Sequence, residues 1–114
     1  MTITKIIDEY REKIINSPDL QLMEASEYLT KLSALLGNIN EEIRLRDRLY
    51  ANKLLEIMNE GNSVAKAKVI AQTTDEYQNL ELAKGYEHVT IEIVRSLKYR
   101  CNVLLHEQES SRNL

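Results

Sequence analysis

The sequence predicts an all-α fold: a short N-terminal helix followed by a long antiparallel helical hairpin of coiled-coil character, assembled into an oligomeric bundle or ring. Three observations carry that expectation. The 114 residues include one proline and three glycines, which leaves little turn material. Apolar residues recur at intervals of three and four over long stretches, the repeat of one helix face. Aromatics are scarce, with six Tyr and no Phe or Trp. The interior must therefore be built from Leu, Ile, Val and Ala, which suits closely packed helices. Length bounds the chain to a single domain over residues 1–114, or one long element that needs a partner.

The first helix is expected over about residues 2–16, where Ile3, Ile6, Ile7, Tyr10 and Ile14 share a face and Lys5, Asp8, Glu9, Glu12 and Lys13 occupy the others. Ser17-Pro18-Asp19 ends it. Pro18 cannot continue a helix but suits the first turn of the next, with Ser17 as N-cap and Asp19 favourable near the N-terminus. The second helix is expected from Pro18 to about Glu60. Leu29, Leu32, Leu36, Ile39 and Ile43 alternate by three and four as a coiled-coil seam. Arg46 and Tyr50 take the following seam positions before Leu54 and Ile57 resume it. The seam keeps its phase across Gly37-Asn38, so the helix is expected to continue there, with residues 37–40 the place for a bend.

Gly61-Asn62-Ser63 reads as a turn: a C-cap glycine, a residue tolerant of left-handed angles, and an N-cap serine. So short a connection makes the flanking helices antiparallel neighbours. The third helix is expected over about residues 64–106. If continuous it would be roughly 60 Å long at about 1.5 Å per residue. Thr73 with Glu76 matches a capping box, at which the helix would break and restart. With no Gly or Pro beside the threonines, a continuous helix is the favoured expectation. After His106 the polar end, Glu107 to Leu114, is expected to fray.

Formal net charge is −3, so overall electrostatics give no argument for nucleic acid. Only residues 40–68 are net positive, with six basic and five acidic side chains. Cys101 is the only cysteine, which excludes an internal disulfide and fits a reducing compartment. The charges of the N-terminal residues come too early for a signal peptide's apolar region, and no apolar run approaches the ~18 residues of a membrane span. A cytoplasmic setting is expected, the host's cytoplasm if the chain is phage-encoded, with no membrane partner.

No catalytic motif is present: no phosphate loop, nucleophile elbow or paired-cysteine metal spacing. His88 and Glu92 share a helix face, but neither His88 nor His106 has a Glu three residues before it, as the di-iron bundle pattern requires. Cys101 falls on the apolar stripe and reads as a buried structural thiol. No enzyme activity, metal, cofactor or small-molecule substrate is expected.

Three basic clusters remain. Arg44, Arg46, Arg48 and Lys53 form the densest, with Arg44 and Arg48 on one face and Arg46, Tyr50 and Lys53 on another. Lys66 and Lys68 follow the turn. Arg95, Lys98, Tyr99 and Arg100 form the third. Cations interleaved with tyrosines suit single-stranded nucleic acid, whose phosphates take the charges and whose bases stack on rings. The competing reading is ordinary surface pairing of Glu42 with Arg46, Glu92 with Arg95, Glu41 with Arg44 and Arg48 with Glu56. Composition alone favours that reading; Arg46 tips it slightly back, because a charge on the seam is costly unless it meets water, an acid or a ligand.

Over roughly residues 25–108 the layout resembles the recombination-mediator proteins of T4-like phages, the UvsY type, whose basic motif reads approximately Leu-Lys-Ala-Arg-Leu-x-Tyr-Tyr. Leu45-Arg46-Asp47-Arg48-Leu49-Tyr50 is similar, with Asp47 departing from the pattern; Ala65-Lys66-Ala67-Lys68-Val69 is a competing match that lacks the tyrosine. Leu97-Lys98-Tyr99-Arg100 resembles a basic run near the C-terminus. The resemblance implies a small, helical, oligomeric protein that binds single-stranded DNA and works with a recombinase or single-strand-binding protein. It places DNA contact on Arg46 and Arg48. The expected interface as a whole is Arg44, Arg46, Arg48, Tyr50, Lys53, Lys66, Lys68, Lys98 and Arg100. Self-association is expected through Leu29, Leu32, Leu36, Ile39, Ile43, Val89, Ile93 and Leu97. The alternative is a helical protein-interaction module, an adaptor or inhibitor of a host or phage protein that binds no DNA.

Overall fold

In a computed structural model, which describes residues 3–112, the chain is all-α, with no strand among those residues. Helices α1 (Ile3–Ile15), α2 (Leu22–Asn59), α3 (Val64–Ala71) and α4 (Asp75–Arg112) follow in order. The two 38-residue helices α2 and α4 pack against each other as the arms of a hairpin. The chain divides into two compact units. One holds the residues up to Gly37 together with those from His88 on; the other is Asn38–Glu87.

The first unit combines α1, the start of α2 and the end of α4. Its buried residues include Ile7, Leu20, Ala25, Leu32, Leu35, Val94 and Leu97, with Thr90 the polar residue buried among them. Helix α1 is tied to α2 by an edge-on pair of rings, Tyr10 and Tyr28, with centroids 5.4 Å apart and planes at 71°. The Lys13 ammonium lies over both rings, at 5.3 and 6.0 Å. Such contacts add about 0.5–1.5 kcal/mol beyond area burial.

Pro18 does not start α2. Residues 16–21 form a loop, and the helix begins at Leu22. Arg100 on α4 holds this loop. Its Nη2 donates to the Ser17 carbonyl at 3.1 Å and to the Pro18 carbonyl. Leu20 turns inward to 3% exposure, its N–H donating to Ser17 O. The Ser17 and Pro18 carbonyls thus find donors outside a helical ladder. The first bond of α2 runs from Ala25 N to Gln21 O at 2.9 Å. Residues 37–40 are helical, so α2 continues through Gly37-Asn38 as expected.

The second unit packs the end of α2, α3 and the start of α4. Ile57, Ala67 and Ala71 form its buried cluster, covered by Tyr50, Leu54, Met58 and Ile70. The alanines let α3 lie close against α2. The expected turn at 61–63 is present. Gly61 takes φ 97°, a left-handed angle that costs other residues about 1–2 kcal/mol. Asn62 Nδ2 donates to Ile57 O at 2.9 Å, and Ser63 caps α3 by accepting from Lys66 N at 3.3 Å.

The return arm is not continuous, contrary to the favoured expectation. It breaks at Gln72–Thr74. Thr73 and Thr74 each turn the side-chain hydroxyl back onto a carbonyl of α3, to Ile70 O at 2.7 Å and Ala71 O at 2.5 Å. These bonds compete with the helical ladder and close α3. Thr74 Oγ1 also accepts from Tyr77 N at 3.4 Å, so Thr74, not Thr73, caps α4. Asp75 and Glu76 fill the first turn, where negative charge meets the positive helix end. At the other end α4 runs to Arg112, past the point where fraying was expected.

Candidate nucleic-acid interface

Arg44 and Arg48 stand one turn apart on α2, both exposed, on the face opposite Ile39, Ile43, Tyr50, Leu54 and Ile57. Neither has an acid partner among the described residues. The expected pairs Glu41–Arg44 and Arg48–Glu56 do not form; Glu56 is taken by Lys53 at 3.6 Å. Arg46 lies on the inner side of the same segment, half-buried, and its Nε donates to Glu42 Oε1 at 2.8 Å. The seam charge is therefore matched by an acid one turn back. The Tyr50 ring rests on Tyr77, with centroids 5.5 Å apart and planes at 52°, and covers the Ile57–Ala67–Ala71 cluster.

On α3, Lys66 and Lys68 are exposed on either side of the fully buried Ala67. Lys68 sits in the last turn, where a cation complements the negative helix end. On α4, Arg95 bonds Glu92 at 3.1 Å. Lys98 is exposed, and Tyr99 is 73% exposed. Arg100 points the other way, onto the Ser17 and Pro18 carbonyls.

The nine residues expected to contact DNA thus separate by environment. Arg44, Arg48, Lys66, Lys68 and Lys98 are exposed; Arg46, Tyr50, Lys53 and Arg100 are committed to partners within the chain. Tyr99, not Tyr50, is the exposed ring beside cations. The sequence carries that signal: Leu97 and Cys101 lie on the apolar stripe, and Tyr99, two residues from each, must face away from it.

Of the residues expected to mediate self-association, Leu32, Ile39 and Leu97 are at most 1% exposed within the single chain. Leu29, Leu36, Ile43, Val89 and Ile93 are half-buried. Large apolar side chains lie open elsewhere: Met23, Ile15, Val69, Leu55, Leu82, Leu45 and Leu49 are each at least 40% exposed.

Comparison with family models, curated proteins and solved structures finds no match to this chain. Its chemistry must be read from its own side chains. Among the described residues no group of three or more His, Cys, Asp or Glu is placed to hold a metal ion. Cys101 is a half-buried free thiol. No helix among those residues is long and apolar enough to cross a membrane.

Proposed function

We propose that the chain is a non-enzymatic accessory protein that binds single-stranded DNA, of the kind that assists recombination or replication of a phage in the host cytoplasm, in concert with a recombinase or single-strand-binding protein and as a homo-oligomer. The observation that carries this reading is the pair Arg44 and Arg48: two exposed guanidinium groups on one helix face, with no carboxylate engaged. Arg46 and Arg95 bond carboxylates, whereas Arg44 and Arg48 do not. Unpaired ones keep their charge for an external anion. Within the same unit, Lys66 and Lys68 add phosphate contacts; the other unit carries an exposed cation and ring of its own, Lys98 and Tyr99.

The test compares Arg44→Ala/Arg48→Ala with Arg46→Ala by fluorescence anisotropy on a labelled single strand. Two lost phosphate contacts lower the salt slope by roughly 1.4, at about 0.7 per contact on single strands. Arg46→Ala breaks only the Glu42 pair and leaves the slope unchanged. Equal behaviour of the two proteins would remove the assignment.

A second reading, a protein-interaction module, draws on the exposed apolar side chains Leu45, Leu49 and Leu55, which share the outer side of α2 with the two arginines. A stoichiometric protein partner without DNA binding would favour it.

A further inference from the structure

An open-sided groove of about 400 Å³ runs between α1 and α4 within the first unit. Ile14 and Ile15 line it from α1, and Val89 and Ile93 from α4; Arg11, His88, Glu92 and Ser96 supply its polar lining. We infer that this groove is a docking site for an amphipathic helix of a partner protein that carries an acidic residue one turn from its apolar anchors.

Shape argues for a helix. The lining on α4 extends from His88 to Ser96, about 12 Å at 1.5 Å per residue. That is two helical turns, the length over which a docked helix presents anchors at i, i+3 or i+4, and i+7. The floor is aliphatic and incompletely covered: Ile14, Val89 and Ile93 are half-buried, and Ile15 is 70% exposed.

Charge argues for an acid on that helix. Glu92 is already matched by Arg95 at 3.1 Å. Arg11 is exposed and has no acid partner among the described residues. His88, also exposed, lines the same groove. The groove therefore pairs an apolar floor with a guanidinium that no carboxylate engages. A carboxylate beside the apolar anchors completes that pair. Nucleic acid does not fit: the lining contains one arginine, no lysine and no ring on which a base could stack. The site is independent of Arg44 and Arg48.

The test uses two labelled synthetic helical peptides with the same leucine stripe at i, i+3, i+4 and i+7. One carries glutamates beside the stripe, the other lysines. Anisotropy with the full chain should show saturable binding of the glutamate peptide, at least tenfold tighter than the lysine peptide. Arg11→Glu should reverse that preference, an outcome that general damage to the fold cannot imitate. Ile15→Glu, at a position already exposed, should weaken the glutamate peptide at least tenfold with helical content unchanged. The inference is overturned if both peptides bind alike, if neither binds, if Arg11→Glu leaves the preference as it was, or if light scattering shows that a second copy fills the groove and Ile15→Glu converts a dimer to a monomer.

Discussion

Arg100 decides between a binding and a structural role for the third basic cluster. Arg100→Met keeps the aliphatic stem and removes the guanidinium. The lost interactions are the bonds from Nη2 to the carbonyls of Ser17 and Pro18, in a side chain that is only half-buried. Bonds from a charged donor contribute about 1.5–3 kcal/mol each when shielded. Here water can reach part of the site and replace some of that, so a total near 2 kcal/mol is expected. The loss should appear in urea unfolding followed by circular dichroism, as a lower midpoint with an unchanged slope. Hydrogen exchange localises it: the Leu20 amide, bonded to Ser17 O at 3.2 Å, should lose protection first, and α1 with it. Single-stranded DNA affinity should change less than twofold. Stability within 0.5 kcal/mol of the wild type, or a salt slope reduced by one contact, would refute the reasoning and return Arg100 to the DNA-binding surface.

Tyr99→Ala should weaken single-strand binding by about 1–3 kcal/mol, the contribution of one stacked base, while Tyr50→Ala should lower stability through loss of the Tyr77 contact; titration and thermal melts on both proteins separate the effects. Leu32→Ala, at a site with no exposure, should cost about 2–5 kcal/mol in chemical denaturation, and a cost below 1 kcal/mol would mean that the first unit's core lies elsewhere. Thr74→Ala should cost about 1 kcal/mol as a lost N-cap and exceed Thr73→Ala in the same assay. Glu27 raises Lys31 above the ordinary lysine value through a hydrogen bond. That contribution is whole below the lysine range and lost as pH rises through Lys31's raised value, so on going up from neutral pH wild type and Glu27→Gln should converge in stability only in strongly alkaline solution, and convergence already at neutral pH would contradict the assignment.

The helical class and hairpin order were legible because the apolar spacing of three and four persists through α2 and α4, and because Gly61-Asn62-Ser63 carries all the chemistry of a turn. Local signals misled where a distant residue intervened. Ser17-Pro18-Asp19 has the composition of a helix start, yet it forms a loop whose Pro18 carbonyl bonds Arg100, 82 residues away. Thr73 and Thr74 lack a helix breaker beside them, but their hydroxyls bond backward onto α3. The helix they close packs Ala67 and Ala71 under Tyr50 and Leu54, which lie outside any local window. At the candidate interface, sequence spacing grouped Arg44 with Arg48 and set Arg46 apart, and the Glu42–Arg46 pair follows from spacing of four. Tyr50 neighbours arginines in sequence, which suggests stacking, but its seam position turns the ring inward, where it meets Tyr77.

The most direct measurement is anisotropy of the wild-type chain with labelled single-stranded and duplex DNA of equal length, at ~50 and ~200 mM salt. Tighter binding to the single strand, falling steeply between the two salt concentrations, is the predicted result. No binding to the single strand at the lower salt would contradict the proposed function, whatever the state of the fold.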